Sequence, residues 1–131
     1  MAQIDIELIL FRQLAGCLGI PAFLVSASGD LLFYNEPAES VLGQRFEDTG
    51  PLPVDEWSQR FQPMDEHGAP VDPSGLPLVI ALREERASHR ALHIQGLDGV
   101  RRRIQVTAFP LIGHSGNLAG AVALFWEDKA A

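Results

Sequence analysis

The side chains best suited to metal chemistry in this sequence are its histidines. His89 and His93 are four residues apart, a spacing that would put both on one face of an α-helix. The surrounding residues predict a β-strand, however, and four residues of a strand span about 13 Å, which is too far for one ion to bind both. His67 and His114 lie in predicted loops with no cysteine or second histidine near them. We therefore expect no metal site.

The sequence also lacks the common arrangements of catalytic groups. It contains no nucleophile elbow, no glycine-rich phosphate-binding loop and no Cys-His pair. We expect the acidic pair Asp65 and Glu66 to be solvated, because adjacent side chains point apart in most backbones. The prediction is a protein without enzymatic activity. The alternative is a small hydrolase or isomerase that uses Asp65, His67 or His93.

The composition indicates one globular domain that does not bind polyanions. The chain has 131 residues, of which 47% are hydrophobic and 21% charged, and its formal net charge is −7. Affinity for nucleic acids and anionic membranes comes from Lys and Arg. The basic run Arg101 to Arg103 is divided between two faces if it forms a strand. We expect neither nucleic acid nor a membrane as a partner.

The cysteine content and the N-terminus predict a cytoplasmic location. Cys17 is the single cysteine, so no intramolecular disulfide can form and a reducing compartment is expected. Asp5 and Glu7 stand where a signal peptide would carry basic residues. The longest apolar run, at residues 118–126, is about half as long as a membrane-spanning helix.

The elements that must position the side chains are organised around residues 101–111. In this stretch Ile104 and Val106 alternate with Gln105 and Thr107, which is the period-two pattern of a half-buried strand. Turns at residues 96–99 and 113–117 join it to strands at residues 91–95 and 118–126.

A broadly apolar helix is predicted at residues 4–18. Its apolar positions recur every three or four residues, and a neighbouring apolar line makes the stripe wider than one packing surface needs. We expect the helix to contact both its own sheet and a second protein. The alternative is a helix buried within a monomer. The main line is Ile4, Leu8, Phe11, Ala15 and Leu18, and the second line is Leu10, Leu14 and Cys17.

The middle of the chain predicts a hairpin followed by short helices. Asn35 can cap a helix after the hairpin, and Gly43 can end that helix. Residues 44–53 are predicted to be a loop, because they contain Pro51 and Pro53. The other predictions are strands at residues 22–27 and 31–34, helices at residues 54–61 and 76–85, and an irregular excursion at residues 62–75.

Five short motifs follow one another along the chain. They are the hairpin at residues 23–35 running into Glu36-Pro37-Ala38-Glu39 and Leu42-Gly43, then residues 63–68, then Leu76-Pro77-Leu78 with Ala81-Leu82-Arg83-Glu84, then Asp98-Gly99-Val100-Arg101, and finally Ala108-Phe109-Pro110-Leu111. No single motif is specific, but in order and spacing the five resemble the PAS family of sensory and signalling domains. The resemblance covers roughly Gly19 to Trp126.

The resemblance implies an α+β fold. Its core is a PAS-like five-stranded antiparallel sheet with short helices over one face, which enclose a cavity, and the N-terminal helix packs on the other face. We divide the chain into an amphipathic helix at residues 1–18, which dimerises or caps, and a single PAS-like domain at residues 19–131.

The resemblance also implies candidate binding residues. For a ligand pocket these are Phe23, Val25, Tyr34, Leu42, Trp57, Phe61, Leu78, Leu82, Ile94, Ile104, Val106 and Leu124. For a homodimer interface, formed by the N-terminal helix and the outer sheet face, they are Ile4, Leu8, Phe11, Leu18, Thr107 and Phe109.

Two well-defined cofactor branches of the family are not matched. The light-sensing flavin branch needs a reactive cysteine in the helix predicted at residues 54–61, which has none. The haem-sensing branch places an axial histidine in the helix predicted at residues 76–85, which has none either. We expect neither a flavin-cysteine adduct nor haem, and the cofactor, if there is one, is unknown.

The function implied is that of a sensory module. It binds a small ligand or a partner, homodimerises, and relays a conformational signal to a separate effector such as a kinase or a transcription regulator. In this family the output often leaves just past the last strand, here at Glu127-Asp128-Lys129. The alternative is a ligand-free dimerisation scaffold with a solid core.

Overall fold

The computed structural model describes residues 6–113 and 115–128. Ile4, Asp5, His114 and Lys129, which the sequence analysis names, lie outside the described residues. Within the described ranges, none of the helices combines the length and hydrophobicity needed to cross a bilayer. The helices are α1 (Ile6–Ala15), α2 (Glu36–Leu42), α3 (Phe46–Thr49), α4 (Val54–Arg60) and α5 (Pro77–Glu84), and the strands are β1 (Ala22–Ser26), β2 (Leu31–Tyr34), β3 (Ser88–Gln95), β4 (Arg101–Ile112) and β5 (Leu118–Glu127).

The strands form one antiparallel sheet in the order β2-β1-β5-β4-β3. The last strand of the chain therefore lies in the middle, between β1 and β4. On β4 the predicted alternation is confirmed: Ile104 and Val106 are buried on the inner face, while Gln105 and Thr107 are only half-buried on the outer one. These features confirm the predicted α+β architecture with five antiparallel strands.

Helices α2 to α5 lie on the inner face and enclose the main core. The prediction of a loop at residues 44–53 is wrong in one respect, because α3 forms a single helical turn there. The backbone N–H of Phe46, at the start of this turn, donates to the Glu39 carboxylate over 2.8 Å. The Phe46 ring packs edge-on against Tyr34, with the centroids 5.3 Å apart. Both contacts join α3 to other elements, α2 and β2, and local turn signals cannot reveal such packing.

Helix α1 packs on the outer face of the sheet, as predicted. Leu8 forms a second, smaller cluster with Leu24 of β1 and Val122 of β5. The helix ends at Ala15, three residues before the predicted end, and the next turn tightens: the Leu18 N–H bonds to the Ala15 carbonyl.

Asn35 lies at the point where α1, β1 and α2 meet. It is 2% exposed. Its amide nitrogen donates to the carbonyl oxygens of Ala15 and Ile20, each at 2.9 Å. Its side-chain oxygen accepts the N–H groups of Ala22 at 3.0 Å and Ala38 at 3.2 Å. The predicted helix cap is confirmed, and the same side chain also ties the end of α1 to the inner layer.

The basic run at the start of β4 takes part in ion pairs. Arg102 lies 3.0 Å from Asp98 and 3.3 Å from Glu127, and it donates to the Val41 carbonyl at 3.0 Å. Arg103 lies 3.6 Å from Asp128, so these cations bind groups of the same chain. The hydrogen bonds from Arg102 and from the Val100 N–H lower the pKa of Asp98 below its ordinary value.

We predict that substituting alanine for Gly120 destabilises the contact between β1, β5 and α1. A β-carbon at this position would collide with the Val25 carbonyl oxygen and lie 2.8 Å from Leu8 Cδ2. Gly120→Ala should lower the free energy of unfolding, measured with urea, by about 2–3 kcal/mol. The control is Gly19→Ala, where a β-carbon meets nothing within 4 Å. Equal stability of the two variants would contradict the close packing.

We also predict that Arg102→Met raises the pKa of Asp98 towards its ordinary value. The substitution removes the hydrogen bond from Arg102, which is the main cause of the lowered pKa. Since the folded pKa is lowered, this carboxylate stabilises the fold above the unfolded pKa of about 3.9, and its contribution is lost as pH falls through the folded pKa. An NMR titration of the Asp98 carboxyl checks this. Arg86→Met, which breaks only the exposed pair with Glu84, should leave the Asp98 pKa unchanged.

Candidate functional site

An apolar pocket of about 100 Å³ lies between the inner face of the sheet and helices α4 and α5. Apart from half-buried Pro63, the residues that line it are less than a tenth exposed. Eight of them are residues that the sequence analysis proposed. The eight are Phe23, Leu42, Trp57, Phe61, Leu78, Ile94, Ile104 and Val106, and the others are Ser58, Pro63, Leu76, Pro77, Leu92, Ala123 and Phe125.

Trp57 fixes the position of α4 against the sheet. Its indole N–H donates to the Gly29 carbonyl over 2.7 Å, in the turn between β1 and β2. Its ring meets Phe23 edge-on, with the centroids 5.4 Å apart. Because α4 is held in this way, the next residue, Ser58, and Phe61 one turn later also reach the pocket wall.

The other proposed pocket residues lie elsewhere. Val25 and Tyr34 belong to the main core, and Leu82 packs against it, but none of the three lines the pocket. Leu124 is wrong as a pocket residue, because it lies on the outer face with the cluster around Leu8. Adjacent residues of a strand point to opposite faces. Because Leu124 faces outward, its neighbours Ala123 and Phe125 face the pocket.

Several lining residues were not predicted from the sequence. Ala123 would have followed from correct phasing of β5, and Leu92 from its two-residue spacing to Ile94. No local signal marks Ser58, since a serine in a short helix is ordinarily solvated.

Tyr34 does not offer its hydroxyl to the pocket. The hydroxyl lies 2.8 Å from Thr49 Oγ1 and donates to the Gln44 carbonyl at 2.9 Å. Burial raises the pKa of the Tyr34 phenol above its ordinary value. The hydroxyl therefore stays protonated at neutral pH and anchors the segment that contains α3.

A larger surface groove of about 530 Å³ lies beside the pocket, along the excursion between α4 and α5. Two residues, Ser58 and Pro63, line both the groove and the pocket. The groove and the pocket are therefore separated at this point by these two side chains.

The residues considered for catalysis do not converge on the pocket. The Asp65 carboxylate accepts the backbone N–H groups of His67 and Ala69 at 2.8 and 3.0 Å, and these bonds lower its pKa. His93 lies half-buried on β3, paired with Met64, and its Nδ1 has no hydrogen-bond partner. His89 is exposed and lies 2.9 Å from Gln105 Oε1. Among the described residues, no group of three His, Cys, Asp or Glu side chains could hold a metal ion.

The proposed dimer residues are divided between buried and partly exposed positions. Leu8 is 7% exposed against its own sheet, so it is wrong as a contact to a second protein. Phe11 and Phe109 are half-buried and meet each other edge-on, with ring centroids 6.5 Å apart. Leu18 and Thr107 are also half-buried.

Helix α1 carries a second apolar stripe that the sheet does not cover. The fractional exposures are 60% for Ile6, 46% for Ile9, 56% for Leu10 and 53% for Leu14. Leu10 and Leu14 belong to the second apolar line of the sequence analysis. We call these four residues the outer stripe of α1.

Comparison with solved structures identifies the fold. A LOV protein of Rhodobacter sphaeroides superposes with a TM-score of 0.71 at 16% identity, covering 94% of this chain and 68% of that one. A PAS domain from Colwellia psychrerythraea gives 0.66 at 15% identity, with 92% and 97% covered. The LOV domain of a blue-light activated histidine kinase of Erythrobacter litoralis gives 0.64 at 17%, with 84% and 96% covered.

The sequence itself matches no protein-family model and none of the curated proteins. At these identities the structural likeness shows the fold alone. The chain has the PAS fold, as the motifs predicted.

We predict that Trp57→Ala lowers the free energy of unfolding by about 3–5 kcal/mol, because it empties one wall of the pocket. Trp57→Phe keeps a ring but leaves the Gly29 carbonyl without its donor, and it should lose about 1–2 kcal/mol. Trp126→Ala is the matched control, since Trp126 is 42% exposed. Urea unfolding measures all three; a Trp57→Ala loss no larger than that of Trp126→Ala would contradict the placement of Trp57.

Proposed function

We propose that this protein is a sensory module that binds a small ligand in the apolar pocket and homodimerises through the outer stripe of α1. Ligand binding changes the position of α1, and a separate effector reads that change. The protein acts without catalysing a reaction, in the cytoplasm, where the exposed thiol of Cys17 stays reduced.

The observation that carries this proposal is that β1 and β5 contact the α1 cluster on one face of the sheet and line the pocket on the other. On β5, Val122 contacts the α1 cluster, while its neighbour Ala123 lines the pocket. On β1, Leu24 and Phe23 are divided in the same way. A displacement of these strands by a ligand therefore also displaces the surface on which α1 rests.

The volume of the pocket favours a ligand-binding module over the alternative of a scaffold with a solid core. A water molecule needs only about 10–15 Å³ of such space, and the pocket has about 100 Å³. The surface of the wall is almost wholly apolar, so water is a poor occupant.

A second copy of this chain is the proposed occupant of the outer stripe. The stripe consists of four aliphatic side chains without a charge, and an isologous contact between two such stripes buries them against each other. The similar LOV domain from a blue-light activated histidine kinase supports a kinase as one class of effector.

We expect the purified chain to be a dimer in sedimentation equilibrium, and Leu10→Glu to make it a monomer, because a carboxylate in the centre of the stripe would be buried without a partner. Val100→Glu is the control: Val100 is 47% exposed but lies between β3 and β4. Urea unfolding shows whether both variants are folded. A monomeric wild-type chain, or a folded Leu10→Glu dimer as tight as wild type, would contradict the proposed interface.

A further inference from the structure

The wall of the pocket offers a ligand almost no partner for a hydrogen bond. Its surface is almost wholly apolar, although Ser58 is among the lining residues. The indole N–H of Trp57 is not available, because it already donates to the Gly29 carbonyl over 2.7 Å. A polar group of a ligand would therefore lose its hydrogen bonds to water and gain none in return.

A charge on the ligand would be more costly still. Among the described residues, no Asp, Glu, Lys, Arg or His lines the pocket. An ionised group would therefore lose its hydration without gaining a counter-charge, and burying an isolated charge costs much more than burying a neutral polar group. The chemistry of the wall favours a hydrocarbon over a neutral polar compound, and a neutral polar compound over an ion.

The size of the pocket and its aromatic side chains point to a single ring. An apolar cavity of about 150 Å³ can hold benzene, and this pocket, at about 100 Å³, is somewhat smaller before any adjustment of its walls. Phe23, Trp57, Phe61 and Phe125 line it, and aromatic rings packed edge to face or offset attract one another beyond the effect of buried area. An aromatic ring is therefore favoured over an aliphatic compound of the same size.

The adjoining surface groove differs in character. Gln59, Gln62 and Asp72 are among its lining residues, and it meets the pocket at Ser58 and Pro63. A polar compound keeps its hydrogen bonds to water if it stays in the groove, whereas an apolar compound is stabilised by moving inward, away from water. The two adjoining spaces therefore sort compounds by polarity.

We infer that the pocket takes a small aromatic hydrocarbon, one ring in size and without a hydrogen-bonding group. The inference rests on the proposed ligand-binding function and adds the chemical class of the ligand. The selectivity comes from the apolar wall as a whole and not from any single polar residue.

Three probes that share one ring test the chemistry: benzene, phenol and benzoate. Each is titrated into the full chain, and binding is followed by the amide NMR shifts of the lining residues. Benzene should bind saturably. Phenol should bind at least about fivefold more weakly, because its hydroxyl is buried without a partner, and benzoate should not bind in the pocket.

The position of bound benzene is tested in two ways. Nuclear Overhauser effects should join benzene to the methyl groups of Ile94 and Ile104, which line the pocket. Ala123→Leu, which fills the pocket, should abolish benzene binding, with urea unfolding as the check that the variant is folded. Ala87→Leu is the matched control, since Ala87 is exposed in the segment between α5 and β3, and it should bind benzene as the wild-type chain does.

Phenol binding as tight as benzene binding, benzoate binding in the pocket, or benzene that still binds to folded Ala123→Leu would each overturn the inference. Failure of benzene to bind would overturn it too, and native mass spectrometry of the purified chain separates that failure from failure of the proposed function. A retained compound with polar groups overturns only the ligand chemistry, whereas a protein that binds no probe and retains no compound contradicts ligand binding as well.

Discussion

The structure depends on the alternation of side chains along the central strands of the sheet. Because neighbouring residues of a strand point to opposite faces, β5 presents Val122 to α1 and Ala123 to the pocket. Gly120, on the same strand, lets β1 and Leu8 approach closely. One sheet thus forms the floor of the pocket and the base on which α1 rests. A well-packed wall transmits strain, which is the physical basis for the coupling that we propose between a ligand and the helix.

The second constraint is the polar corner formed by Asn35. One buried side chain bonds to the end of α1, the start of β1 and the start of α2, so the outer and inner layers are joined outside the sheet as well. A buried amide satisfied on both of its atoms favours one arrangement of the chains that meet there. Asn35 therefore fixes the C-terminal end of α1, whereas the outer stripe of α1 is exposed.

Much of the fold could be predicted from the sequence because its signals are local. The alternation on β4, the cap at Asn35 and the stop at Gly43 each act within a few residues. The errors concern contacts between distant segments. Leu124 and Leu8 are apolar residues whose face is set by packing of α1 on the sheet, and α3 is held by Glu39 and Tyr34.

The coupling across the sheet can be measured by hydrogen exchange of the α1 backbone amides in the wild-type chain and in Ala123→Leu. The substituted side chain fills the pocket and does not lie on the α1 side. We expect the protection of the amides at residues 11–15 to change, because the wall under Leu8 is displaced, while the exposed turn at residues 65–69 serves as the reference. Altered protection confined to the residues that line the pocket, with α1 the same in both chains, would contradict the account.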